Sequence, residues 1–159
     1  MPGFLRRMLA QQRWRQARID DPVHRLGRRS ERVAARYLRR RGYRVVARNA
    51  QAGGVEIDLL CFSPDRRTIV VVEVKSGRVR GSDPIHAGRD DPVRNLRRAQ
   101  RRRLVHAMDT LTRANRWSDR PKRIDVVAVL WPESGAPRVS HYPGAITAAD
   151  RGSGRERRG

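Results

Sequence analysis

Two short apolar runs, Val55–Phe62 (VEIDLLCF) and Thr68–Lys75 (TIVVVEVK), are joined by Ser63-Pro64-Asp65-Arg66-Arg67. Val- and Ile-rich runs of this length, bounded by Pro and Asp turn chemistry, specify a β-hairpin. Glu56 and Asp58 interrupt the first run, and Glu73 and Lys75 the second. Charges in an apolar strand are costly unless they are partnered or used. Strand alternation predicts that Glu56 shares a face with Asp58, and Glu73 with Lys75. A loop of Pro64 to Arg67 sets Asp58 opposite Glu73 and Glu56 opposite Lys75, with facing β-carbons roughly 4.5–5.5 Å apart. All four side chains are then expected in one patch on one face.

The rest of the chain supplies layers for that hairpin. Asp21-Pro22 is a helix start, as N-cap and first helical residue. Val23, Leu26, Val33, Ala34, Tyr37 and Leu38 follow at helical period, and Gly42 supplies the stop. Tyr43–Arg48 reads as a strand. Asp91-Pro92 repeats the cap signature before a second helix with Val93, Leu96, Leu104, Ala107, Met108 and Leu111 on its apolar stripe. Arg123–Trp131 is a buried-type strand, and Arg138–Tyr142 a last edge strand. The expected fold is α/β, in the order α-β-β-β-α-β, with a mixed central sheet flanked by helices. A chain of 159 residues holds one such core. Residues 1–20 read as a basic arm, 21–148 as the domain and 149–159 as a basic disordered tail, with Ser76 to Asp91 a Gly- and charge-rich loop.

The formal charge is +21, and all but two of the 37 basic residues are arginine. A compact domain this basic calls for a polyanion, and nucleic acid is the first candidate. No apolar run approaches the ~20 residues of a membrane span, so no membrane partner is expected. The basic N-terminus lacks the apolar core of a secretory signal, and one cysteine, Cys61, builds no disulfide framework, so a reducing cytoplasmic setting is expected. Cys61 reads as a buried apolar residue, the four histidines have no metal-ligand spacing, and Trp117 and Trp131 read as packing residues. The two lysines are Lys75 and Lys122. A lysine kept in an arginine-rich chain suits work that a guanidinium does poorly, such as proton transfer.

Two adjacent carboxylates stay ionised together only with a cation between them, and hard oxygen donors favour Mg²⁺ or Mn²⁺. A neighbouring lysine orients a metal-bound water or takes its proton. Metal-assisted phosphodiester hydrolysis is the chemistry such a set suits.

Val71-Val72-Glu73-Val74-Lys75, preceded by Gly54-Val55-Glu56-Ile57-Asp58-Leu59, resembles the YraN-like family of small bacterial proteins, which belongs by fold to the restriction-endonuclease-like, PD-(D/E)xK nuclease superfamily. Glu31 with Ala34, Tyr37-Leu38 and Gly42-Tyr43 is similar to the family's opening helix. Arg48-Asn49 precedes the acidic strand as expected, and Ile124-Asp125-Val126-Val127 resembles a later strand. The resemblance covers Leu26 to Ile146. It implies metal ligation by Asp58 and Glu73, with Glu31 reaching the metal from the first helix. Asp58, Glu73 and Lys75 are the implied catalytic set, with Glu56 as the further acidic residue of the run. This chain departs from the family pattern at Ser30, at Val55, at Ile57, and at Gln100 or a neighbouring Arg, where a second-helix Lys is usual.

Arg94, Arg97, Arg98, Arg101 and Arg102 on the second helix, with Arg78 and Arg80 in the loop, are the expected nucleic-acid contacts. The leading expectation is a Mg²⁺- or Mn²⁺-dependent DNA endonuclease, structure-selective or nonspecific, in repair, recombination or uptake. The alternative is a nucleic-acid-binding protein of the same fold with weak or no catalysis. Nuclease folds of this kind often cut as dimers, which leaves a homodimer open.

Overall fold

A computed structural model describes residues 22–79 and 92–151. Helix α1 is Pro22–Arg40, followed by strands β1 (Arg44–Ala52), β2 (Val55–Phe62) and β3 (Ile69–Arg78). Helix α2 (Arg98–Ala114) then leads to β4 (Lys122–Trp131), β5 (Arg138–Ile146) and a short 3₁₀ turn, Ala148–Arg151. The strands form one sheet in chain order, β1-β2-β3-β4-β5. β3 and β4 run parallel, and every other neighbouring pair is antiparallel. This is the expected mixed sheet, with one helix on each face.

The sequence explains the layering. A parallel pair needs a crossover, and α2 supplies it between β3 and β4. Covered on both faces, those strands read as near-continuous apolar runs. On the α2 side, Leu104, Ala107, Met108 and Leu111 pack on Leu60, Ile69, Val71 and Val126. On the α1 side, Ala34, Ala35 and Leu38 pack on Leu59, Cys61, Val70, Val72 and Val127. Trp131 Nε1 donates to the buried Ser30 hydroxyl at 2.9 Å, fixing α1 to β4.

The hairpin register is the one a Pro64–Arg67 loop predicts: Leu59 pairs with Val72, Leu60 with Val71 and Phe62 with Ile69. Gly53 and Gly54, both at positive φ, make the two-residue turn between β1 and β2.

Five expectations need correction. Ser76, Gly77 and Arg78, expected in the loop, extend β3, because they pair with Val129, Leu130 and Trp131 of the parallel β4. α2 begins at Arg98, not after Pro92, because residues 92–96 form turns and Arg97 is extended, with φ −61° and ψ 145°. Val23 is 73% exposed and does not join the apolar stripe of α1, whose buried members are Ala34, Ala35 and Leu38 further along. β1 runs on to Ala52, since the Gly53-Gly54 turn lets it pair along all of β2. β5 does not stop at Tyr142 but continues to Ile146, which pairs with Ile124 beyond an irregularity at Asp125. The N-terminal arm, Arg80, most of the Ser76 to Asp91 loop and the tail beyond Arg151 lie outside the described residues.

Candidate active site

The acidic cluster forms where the hairpin opens. The β2–β3 ladder ends at Leu59 and Val72. Beyond that pair the Asp58 carboxylate takes over, its Oδ2 accepting from the Val74 amide at 2.7 Å. A side chain thus replaces a ladder partner and holds Asp58 in the cleft between the strands.

Side-chain alternation also breaks at this level. Ala47 and Ala50 both pack into the α2-side core, as do their partners Leu60 and Ile57, although each pair of positions is three residues apart. Regular strands put such residues on opposite faces. The break falls at Asn49, in the left-handed region at φ 49°, and at Asp58 across from it. Glu56, flanked by the α2-side residues Val55 and Ile57, therefore turns toward α1. The expectation of four charges on one face is corrected accordingly. Glu73 and Lys75 lie on the α2 side, Glu56 and Glu31 on the α1 side, and Asp58 lies between the two groups.

Each group has its own supports. Lys75 Nζ is 2.9 Å from Glu73 Oε1, and Gln100 Nε2 donates to the same oxygen at 2.6 Å. Glu73 is buried. On the other side, Asn49 Nδ2 donates to Glu31 Oε2 at 2.7 Å, and Gln51 Nε2 to Glu56 Oε2 at 3.1 Å. Burial raises the Glu31 carboxyl above its ordinary range, opposed by Asn49 and augmented by Glu56. Asp58 is affected most. Burial and then the charge of Glu73 push it up to about 8, with smaller contributions from Glu31 and Glu56 against the Val74 hydrogen bond. Without a cation, Asp58 carries a proton at neutral pH.

These residues fit a hard divalent cation by donor type, since Asp58 and Glu73 supply oxygens and the crowding at Asp58 is what added positive charge relieves. Among the described residues, no three carboxylate, His or Cys side chains are already gathered as a coordination group. Lys75 and Gln100 instead occupy Glu73.

Sequence reasoning named Gln100 only as a departure from a family pattern. Its place facing Glu73 was legible from helical phase, because Gln100 lies one helical turn before the buried Leu104. Asn49 was legible as the residue before the acidic strand, but its left-handed backbone was not. Lys122 has a separate job, pairing with Asp109 at 3.5 Å.

The expected nucleic-acid contacts divide. Arg78, Arg94, Arg97, Arg98 and Arg102 are exposed. Arg101 is turned inward: it donates to the Val93 and Leu96 carbonyls and contacts Asp150 at 3.4 Å, tying α2 to the preceding turn and the 3₁₀ segment.

The fold and this acid–lysine cluster together define an α/β protein with a restriction-endonuclease-like core. The sequence model of the uncharacterised protein family UPF0102 matches residues 30–129. A UPF0102 protein of Pelobacter propionicus is 31% identical over 123 residues, covering 77% of this chain and 83% of that relative. One from Renibacterium salmoninarum is 38% identical over 120 residues, covering 75% and 93%. One from Clavibacter michiganensis is 36% identical over 114 residues, covering 72% and 89%. The chain belongs to the UPF0102 (YraN) family. No helix among the described residues is long and apolar enough to cross a membrane.

Proposed function

We propose that this protein is a metal-dependent endonuclease that hydrolyses phosphodiester bonds, with DNA as substrate and Mg²⁺ or Mn²⁺ as cofactor. The observation that carries the reading is Asp58, set beside Glu73, Glu31 and Glu56 and pushed up to about 8 by its burial first and by the charge of Glu73 second. Structural carboxylates are normally given cationic or amide partners, whereas perturbed ones collect at functional sites. Asp58 and Glu73 would hold the metal, with Glu31 and Glu56 beside them. When bound, the cation supplies an acidified water and charge stabilisation at the phosphate. Asp58 would hold the cation in its ionised form. Lys75 would offer a donor to the phosphate oxygens and help to orient the attacking water. Gln100, which donates to Glu73 Oε1, would keep that carboxylate oriented.

A second reading keeps the fold and nucleic-acid binding without catalysis. It is favoured by the occupation of Glu73 by Lys75 and Gln100. The deciding experiment is incubation with labelled linear duplex, single strand, flap and four-way junction DNA in Mg²⁺ or Mn²⁺, beside Asp58→Ala and Lys75→Ala. Cutting by the wild type that is lost in both variants and in EDTA supports the nuclease. Salt-sensitive binding with no cutting under any condition supports the second reading.

A further inference from the structure

The most strongly charged surface among the described elements is the outer face of α1, not the helix singled out from sequence. Arg25, Arg28, Arg29, Arg32, Arg36, Arg39 and Arg40 are all exposed and recur every three or four residues. Ser30, Ala34 and Leu38 lie opposite them, buried against the sheet, and Arg29 reaches back over the Trp131 ring, its guanidinium 4.3 Å from the ring centroid. From Arg25 to Arg40 the stripe is roughly 22 Å long at the rise of an α-helix. Glu31 is the only acidic residue of α1, and it is turned toward Asn49.

Such a helix opposes its own stability. Like charges three and four apart repel, and guanidiniums in the first turns oppose the macrodipole. No acidic residue stands in the first turn to offset them. α2 differs, because its Arg101 is tied down internally and its Asp109 meets Lys122. A stripe of mutually repelling cations is relieved by a polyanion laid along it. A membrane surface fits poorly, since a helix lying in lipid needs an exposed apolar face. Val23 is the only large apolar side chain exposed among the described residues.

We infer that the outer face of α1 is a docking surface for the phosphate backbone of double-stranded DNA. Arg28 lies close enough to Glu31 to act on its carboxyl, as does Arg48 on β1. A duplex along the stripe therefore passes the α1 side of the Asp58 cluster. The inference rests on the nucleic-acid partner of the proposed function but not on its chemistry.

The test measures binding of a fluorescein-labelled 20-base-pair duplex in EDTA, where no cutting confuses the readout, across a salt series. Three full-length proteins are compared: wild type, the α1 triple variant Arg25→Gln/Arg32→Gln/Arg36→Gln, and a control, Arg67→Gln/Arg113→Gln/Arg138→Gln, that removes the same charge elsewhere. Gln is a good helix former, and the thermal midpoint of each variant checks that the fold survives. The expected result is affinity at least tenfold weaker for the α1 variant, with a salt slope shallower by roughly 0.9 for each phosphate it no longer neutralises. The control is expected within threefold of wild type. Equal weakening in both variants, or none in the α1 variant, overturns the inference while leaving the nucleic-acid reading standing. Failure of the wild type to bind the duplex overturns the inference, and failure to bind labelled single-strand, flap and junction DNA as well overturns the nucleic-acid reading. An α1 variant that binds duplex normally but no longer binds anionic phospholipid vesicles assigns the stripe to a membrane and overturns the inference.

Discussion

Asp58 and Asp125 are two aspartates of one sheet with opposite surroundings. Asp125 is completely buried and completely partnered. It accepts from Arg123 Nε at 2.7 Å and from the Gly144 amide at 2.9 Å, and its Oδ2 lies 2.8 Å from His141 Nε2. Arg123 in turn donates to the Tyr43 hydroxyl at 2.8 Å, so the cluster ties β4 to β5 and to the start of β1. Burial alone would raise the Asp125 carboxyl, but His141, Arg123 and Gly144 hold it below its ordinary range. At Asp58 burial is the largest cause, one backbone donor opposes it and three acidic neighbours add to it, so the carboxyl is driven up. Two buried carboxylates therefore part company according to whether their partners offset the burial or add to it. One aspartate serves the fold, and the other is kept at the fold's expense.

The largest expected effect falls on the structural member. Asp125→Asn leaves Arg123 and His141 without their anion, and urea unfolding at pH 7 is expected to lose about 3 kcal/mol. The stabilisation also has a pH signature. With its folded-state pKa below the unfolded value, Asp125 stabilises fully above about pH 4, and that contribution is lost as pH falls through the depressed value.

Asp58→Asn is expected to change stability in the opposite direction. Its folded pKa of about 8 lies above the unfolded value, so the wild type is increasingly destabilised from about pH 4 up to pH 8. The amide removes that penalty while keeping an acceptor for Val74. Unfolding at pH 8 is expected to show a clear gain for the amide, and at pH 4 almost none. A loss of stability at both pH values would remove the contrast between the two aspartates.

Gln100→Ala deletes one donor to the buried Glu73, and about 1 kcal/mol of stability is expected to go with it. The lysines give the smallest expected stability change. Lys122→Arg retains a half-exposed ion pair with Asp109, and its stability is expected to shift by less than about 0.5 kcal/mol. Lys75→Arg is expected to be equally silent in unfolding, since a guanidinium also pairs with Glu73, yet to abolish cutting, because the bulkier group does not give up a proton or fit where the compact ammonium meets water and phosphate. Equal cutting by both lysine variants would remove Lys75 from the proposed mechanism.

Much of this was legible in the sequence, for identifiable reasons. Val55–Phe62 and the turn after it carry the period and turn chemistry of a hairpin, and the register follows from loop length. The two helices follow from their apolar stripes. The face of Glu56 was not legible, because period-two reasoning assumes unbroken alternation, and a left-handed Asn49 is a backbone event that composition does not announce. The start of α2 was obscured because Asp-Pro opens turns as well as helices. Arg101 looked like a surface charge because its partners are backbone carbonyls, which have no sequence signature. The arginine stripe of α1 was visible in the letters, but it became a surface only when Ser30, Ala34 and Leu38 fixed the opposite side.

The central claim is that burial and the charge of Glu73 hold the Asp58 carboxyl well above its ordinary range, and that a divalent cation relieves this. The most direct test is a ¹³C NMR titration of the Asp58 carboxyl in the wild-type protein, with and without Mg²⁺. The account predicts a midpoint near 8 without metal and a clear fall when Mg²⁺ is added, while the Asp125 carboxyl titrates below its ordinary range in both conditions. An Asp58 midpoint near 4 that ignores Mg²⁺ would contradict it.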